Sequence, residues 1–203
     1  MSALANVLPA SSLMRPQAPV IGATLGGIPR GALTEIAGPP SSGRTSLLCA
    51  LLAEATAAGE FCALIDVENT FDPASAAAAG VRLSQLMWVR CAANVEHALK
   101  AADMLAQGGG FGLVAIDLAD TPQKLSRRVP MAAWFRLRHA VANTKTALLS
   151  IGSCFNASTC SAMKIELARD RTVMQHRLLE GIEVAARIVV NHQSRPEKFL
   201  ARR

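Results

Sequence analysis

The chain has 203 residues, 51% hydrophobic but only 4% aromatic, with no tyrosine and a net charge of +6. That length suits one α/β domain, whose core must be aliphatic and alanine-rich. No apolar run approaches the ~20 residues of a membrane span, no signal peptide is read at the start, and the cysteines at 49, 62, 91, 154 and 160 form no CxxC pair. These features point to the reducing cytoplasm and away from a zinc site.

Residues 1–20 carry Pro9, Pro16 and Pro19 among small polar residues and read as a flexible arm ahead of a single core domain over 21–203. A glycine-rich approach over 21–31 leads to an apolar strand from Leu33 to Ala37. The loop Gly38-Pro39-Pro40-Ser41-Ser42-Gly43-Arg44-Thr45 follows, then a helical run ending at Gly59. Buried strands are predicted over 61–66 and 112–117, and further strands over 86–89 and 146–151. Between them the pattern predicts a short helix after Pro73, a helix from an Asn94 N-cap to Gln107, and a helix from Pro130 to about Asn143. Val95, Leu99, Ala102 and Leu105 or Ala106 form the inward stripe of the middle one. Residues 122–129 read as a basic loop and 153–161 as a polar one. Met163–Leu167 and Ile182–Val190 read as strands with no helix between them, and the tail SRPEKFLARR as basic chain with no assigned element. Strands alternating with helices imply a mainly parallel sheet flanked by helices, here with an antiparallel C-terminal extension.

The stretch from Leu33 to Leu52 organises the rest. Strand, glycine-bounded loop, hydroxyl residue and helix make the layout of a P-loop. Gly38 turns the chain away from the strand, and Gly43 lets successive N–H groups point inward. The helix adds its unpaired amides and positive dipole end. Gly38 to Ser46 are therefore the candidate nucleotide-binding residues, with Thr45 placed as a Mg²⁺ ligand. Arg44 stands where the pattern wants lysine, and is planar, forked and bulkier. The competing reading is a plain glycine-rich turn that caps a helix. Parallel sheets place working residues at the C-terminal ends of strands. Asp117 there suits a water-mediated Mg²⁺ contact, and Glu68 is the candidate catalytic residue, placed to orient or deprotonate a water. Asp66 and Asp72 flank Glu68, and for Glu68 and Asp72 the competing reading is helix capping and loop solvation.

Residues 1–123 hold 6 Lys and Arg against 10 Asp and Glu, and residues 124–203 hold 15 against 5, so a balance of −4 is followed by one of +10. A basic second half on such a loop protein points to a polyanion. Trp88 and Trp134 read as core or interface residues, not base-stacking platforms.

GALTEIAGPPSSGRTSLL, CALIDVENTFDP, LVAIDLADTP and, more weakly, GIEVAARIVVNHQSRPEKF resemble successive segments of the bacterial RecA recombinases. The resemblance runs from about residue 22 to 200. It implies a RecA-type ATPase core in DNA repair, with ATP and Mg²⁺ as cofactors, Glu68 at the catalytic glutamate, Asp117 at the Walker B aspartate and Asp72 beside the base. It also implies single-stranded DNA binding near the first DNA-binding loop, through Lys124, Arg127, Arg128, Arg136 and Arg138, with Arg195 and Lys198 adding charge at the tail. The chain departs from the family at Arg44, at Ser75 where a tyrosine stacks on adenine, at Ser153 where a glutamine senses phosphate, and at Val190 and His192 where lysines reach a neighbour's nucleotide. The second DNA-binding loop is shortened to about 153–161, and no counterpart of the family's C-terminal domain is read.

Binding parts kept and coupling parts lost is a profile similar to the ImuA-type RecA-like proteins, which accompany damage-induced error-prone polymerases in the SOS response. That resemblance implies an accessory protein of translesion synthesis with weak or absent ATP hydrolysis. Its partners would be RecA or a polymerase complex, with no membrane. The alternatives are an active ATP-dependent recombinase, and an unrelated P-loop kinase in which segment 124–138 serves as a lid.

Overall fold

The computed structural model describes residues 20–175, 178–190 and 193–202. The arm expected over 1–20 lies outside the described residues except for Val20. Val20 belongs to the fold: β1 (Val20–Ile21) and β2 (Ile28–Pro29) form a small antiparallel hairpin inside the glycine-rich approach. Glu54 fastens it, accepting from the amide of Ala23 at 2.5 Å and from the amide and hydroxyl of Thr24.

The strand–loop–helix unit follows as β3 (Leu33–Ala37) and α1 (Arg44–Ala57). Then come β4 (Cys62–Asp66), α2 (Pro73–Ala78), β5 (Leu86–Arg90), α3 (Val95–Gly108) and β6 (Leu113–Leu118). The chain continues through α4 (Gln123–Ser126), α5 (Met131–Val141), β7 (Ala147–Gly152), β8 (Met163–Gln175), β9 (Leu178–Val190) and β10 (Gln193–Arg202). The main sheet has eight strands in the order β10-β9-β8-β3-β7-β6-β4-β5. From β5 to β8 every pairing is parallel, and β9 and β10 extend the sheet antiparallel. The expected architecture is the observed one.

Strand alternation divides the core in two. Ile36, Leu113, Ala115 and Leu149 face α1, α2 and the hairpin. Leu33, Val114, Ile116 and Leu148 face α3 and α5. Both halves are mainly aliphatic, with Phe71 buried in the first and Trp134 fully buried in the second. Cys49, Cys62, Cys91 and Cys160 are buried free thiols, and burial pushes the Cys62 thiol up to about 12. No helix among the described residues is long and apolar enough to cross a membrane.

Two expectations need correction. Segment 122–129 is not all loop: Pro122 opens the single turn α4, with the Leu125 and Ser126 amides donating to the Pro122 carbonyl at 2.8 and 3.2 Å. Proline is tolerated at a helix start, where its missing N–H costs nothing. The basic tail is a strand, β10, in register with β9 from Gln193 to Arg202. It is the outermost strand, the one place in a sheet where a mid-strand residue such as Pro196 is accommodated.

Candidate functional site

β3 delivers the chain to the phosphate loop at the C-terminal edge of the sheet. A Cβ on Gly38 would lie 2.5 Å from Ser42 Oγ and 2.6 Å from the Leu167 carbonyl oxygen, so this close passage requires glycine. Gly43, at φ +85°, is the N-cap of α1 and gives it no side-chain cap. The first-turn amides of α1 therefore have only what the loop or a ligand offers. Ser42 Oγ is buried without a hydrogen-bond partner among the described residues, and Thr45 is exposed on the first turn.

Arg44 does not reach outward. It is buried, with Nη1 donating to the Ala119 carbonyl at 2.9 Å and Nη2 lying 3.9 Å from Asp120 Oδ1. The residue that departs from the motif thus joins the start of α1 to the end of β6.

Asp66 and Asp117 are register partners on β4 and β6. Asp66 accepts from the Thr70 and Phe71 amides at 3.1 and 3.0 Å and from Trp88 Nε1 at 3.1 Å, and so holds the turn that carries Glu68. The Glu68 Oε1 atom is buried without a partner among the described residues. Asp117 Oδ1 accepts from the Ala119 amide at 2.9 Å. Burial, reinforced by Asp66 and Asp120, pushes the Asp117 carboxyl up to about 6, against the pull of the Ala119 amide and Arg44. Asp72 is engaged elsewhere. Both of its oxygens cap α2 through the Ala74 and Ser75 amides at 3.1 Å, and these bonds with the Ser75 hydroxyl hold its carboxyl below the usual range. The capping alternative for Asp72 matches this geometry.

The groups open to a phosphate and Mg²⁺ are thus the uncapped start of α1, Ser42, Thr45, Asp117 and Glu68. This donor set fits an anion with its counter-ion. Arg44, spoken for by Ala119 and Asp120, is the member that does not.

The predicted basic residues are not gathered into one patch. Lys124, Arg127 and Arg128 are exposed on and just after α4. Arg136 pairs with Asp103 of α3 at 3.1 Å. Arg138 lies beside Ser158, Thr159, Ser161 and Lys164 around a polar recess of about 420 Å³. Arg195 and Lys198, three residues apart on β10, point to opposite faces: Arg195 donates to the Leu25 carbonyl at 2.8 Å, and Lys198 pairs with Asp170 at 2.5 Å. Ser153 is half-buried just past β7 and Val190 is exposed at the end of β9, while Asn191 and His192 lie outside the described residues.

One organising residue escaped the sequence reading. Glu35, buried in β3, accepts from the Asn156 and Ala157 amides at 2.6 and 2.7 Å and from Ser161 Oγ at 2.9 Å, fixing the 153–161 loop across the sheet. The signal was a lone acid in the buried strand LTEIA, which has to find partners.

Comparison with known proteins agrees with this geometry. Residues 7–125 match the family model described as the RecA N-terminal domain. Protein RecA of Deinococcus radiodurans is 44% identical over 93 residues, covering 46% of this chain and 25% of that protein. Protein RecA of Chloroflexus aurantiacus is 27% identical over 203 aligned residues, covering 85% of this chain and 58% of that protein. Protein RecA of Rickettsia massiliae is 44% identical over 93 residues, covering 46% of this chain and 27% of that protein. The chain therefore spans between about a quarter and somewhat over half the length of these relatives. With more than half of its residues matched, on a mainly parallel sheet with the phosphate loop between its first main strand and first long helix, the chain belongs to the RecA N-terminal domain family.

Proposed function

We propose that this chain is an ImuA-type, RecA-like accessory protein of DNA repair and damage-induced translesion synthesis, which binds ATP–Mg²⁺ and single-stranded DNA but turns nucleotide over slowly or not at all. The observation that carries the reading is Arg44. Its guanidinium is buried and bonded to the Ala119 carbonyl, so the loop's one cation is not preorganised towards a phosphate and must give up that bond to face one. Charge on a transferring phosphoryl group is stabilised by preorganised donors aimed at it, and a donor that has first to leave a protein carbonyl serves poorly.

In this reading the α1 amides, with Gly38 to Gly43, hold the phosphates, and Thr45 and Asp117 hold Mg²⁺, which supplies charge neutralisation there. Glu68 orients a water through its unpartnered oxygen. Ser75, at the position where the family stacks a tyrosine on the base, bonds back to Asp72 instead. The DNA contact is sequence-independent, through phosphates, at Lys124, Arg127 and Arg128 with Arg138. A kinase reading is disfavoured because segment 124–138 is no free lid: Ala133, Trp134 and Leu137 of α5 are buried in the core.

Phosphate release by the purified protein, with and without single-stranded DNA, tests the reading together with electron microscopy for filaments. The expected results are release well below 1 s⁻¹, an ordinary enzyme rate, and no nucleotide-dependent filament, with assembly only when RecA or a polymerase complex is added. Fast DNA-stimulated release with regular filaments would establish an active recombinase instead.

A further inference from the structure

We propose that Arg44 and Asp117 form a nucleotide-operated latch on the single residue Ala119, gripping the peptide groups on either side of it, through which occupancy of the phosphate loop controls helix α4 and its basic side chains. The inference rests on the nucleotide-binding reading above and adds a route out of that site. Ala119 is held at both of its polar groups. Its N–H donates to Asp117 Oδ1 at 2.9 Å, and its carbonyl accepts from Arg44 Nη1 at 2.9 Å. The two holders are the two phosphate-site residues that are both charged and buried: Arg44 is 7% exposed at its side chain and Asp117 8% exposed overall.

Each holder faces a choice. Arg44 can serve the Ala119 carbonyl or a phosphate on the loop, and Asp117 can serve the Ala119 amide or a magnesium ion. Both demands fall on the same residue at once. Differential contacts of this kind are what allow a ligand to shift a conformational equilibrium.

The link from Ala119 to α4 is short and stiff. Asp120 lies within 3.9 Å of the same guanidinium, and Thr121 is buried with its amide bonded to the Leu118 carbonyl at 3.2 Å. Pro122, at φ −52°, is the N-cap of α4. Three residues therefore separate Ala119 from a one-turn helix that bears Lys124 and is followed directly by Arg127 and Arg128. A helix of one turn has little stability of its own and takes its position from what anchors it. The chain thereby connects nucleotide to the basic cluster by way of the end of β6, not through the half-buried Ser153 beyond β7.

Hydrogen–deuterium exchange on the full chain tests this, with Mg²⁺ and a slowly hydrolysed ATP analogue at a concentration shown by separate titration to saturate binding. In the wild type, nucleotide should speed exchange of the amides from Ala119 to Arg128 by roughly ten- to a hundredfold, the worth of a charge-assisted hydrogen bond. In Arg44→Ala the same amides should exchange fast without nucleotide and change little on its addition, and Arg44→Gln replaces that variant if it does not fold. Saturating nucleotide that leaves the exchange of 119–128 unchanged overturns the latch while the binding reading stands. Absence of any binding in the titration overturns both. An Arg44→Ala protein that folds and protects 119–128 as the wild type does also overturns it, whatever the nucleotide result.

Discussion

Gly43→Ala asks how far the C-terminal ribbon supports the phosphate loop. Gly43 sits at φ +85°, where a residue with a Cβ pays about 1–2 kcal/mol. The added Cβ would lie 2.7 Å from Val184 Cγ2 on β9, with ring atoms of Phe199 on β10 at 3.4 and 3.6 Å. Val184 is fully buried, so the clash is relieved only by shifting packed neighbours, at typically another 1–3 kcal/mol. The expected loss is about 2–5 kcal/mol, a large part of the 5–15 kcal/mol that holds an ordinary domain together. Urea denaturation followed by tryptophan fluorescence measures it, since Trp134 is fully buried and reports global unfolding. Val184→Ala opens the space without relieving the backbone. The double variant should therefore recover the clash and keep the φ penalty, with a coupling of about 1–3 kcal/mol. A Gly43→Ala loss below about 0.5 kcal/mol, or additivity with Val184→Ala, would refute the reasoning.

Three further outcomes are expected. Asp117 has its pKa raised from 3.8 to about 6, so the folded state binds the extra proton between those values and stability falls as pH rises through that window. Asp117→Asn should hence gain on the order of 2–3 kcal/mol over the wild type at pH 7, shrinking towards zero near pH 4, and a gain independent of pH in urea titrations would contradict this. Glu35→Ala removes the acceptor of three hydrogen bonds and should cost about 2–5 kcal/mol, with faster amide exchange at Asn156 and Ala157. Glu35→Gln, which keeps one acceptor oxygen, should cost less. Reversing Arg127 and Arg128 to Glu should weaken single-stranded DNA binding and flatten its salt dependence, whereas the same change at Arg195 and Lys198 should leave the slope nearly intact. A wild-type affinity that does not change between low and moderate salt would remove phosphates as the contact.

The parts of this fold legible in the sequence are those where local signals and tertiary need coincide. Strands such as CALID and LVAIDL are short apolar runs buried on both faces, and they appear within a residue of their expected places. Asn94 caps α3 through the His97 amide as its position implies, although Ala98, not Val95, is fully buried on the inward stripe. β10 was hidden because its composition is that of a solvated tail. Its charges are compatible with an edge strand, and only pairing with β9 makes it one. β1 and β2 were hidden because two-residue strands carry no period, and their stability comes from Glu54 on a helix thirty residues away. In the site, the loop and its carboxylates were legible because motif spacing encodes them. The inward turn of Arg44 and the capping role of Asp72 depend on which neighbour each side chain finds, and spacing does not encode that.

The same distinction explains why a balance of +10 over residues 124–203 does not make one positive face. In the antiparallel ribbon, alternation brings acids opposite bases: Arg187 pairs with Glu166, Arg171 with Glu183, and Lys198 with Asp170. Such exposed pairs add little stability, commonly below ~1 kcal/mol each, but they cancel field locally. On the helical side Arg136 is cancelled by Asp103. Lys124, Arg127, Arg128 and Arg138 make no ion pair among the described residues, and nearly all the acids of this half are spent on the ribbon. The unpaired charge that a polyanion would feel is therefore scattered, with Lys124, Arg127 and Arg128 at α4, Arg138 in its recess beside Lys164, and Lys145 and Arg169 elsewhere, each group far smaller in extent than the raw count implies. In the proposed reading, the basic segment at α4, whose charges survive pairing and which follows the residue that Arg44 and Asp117 both hold, is a shared stretch of chain on which nucleotide and DNA would act.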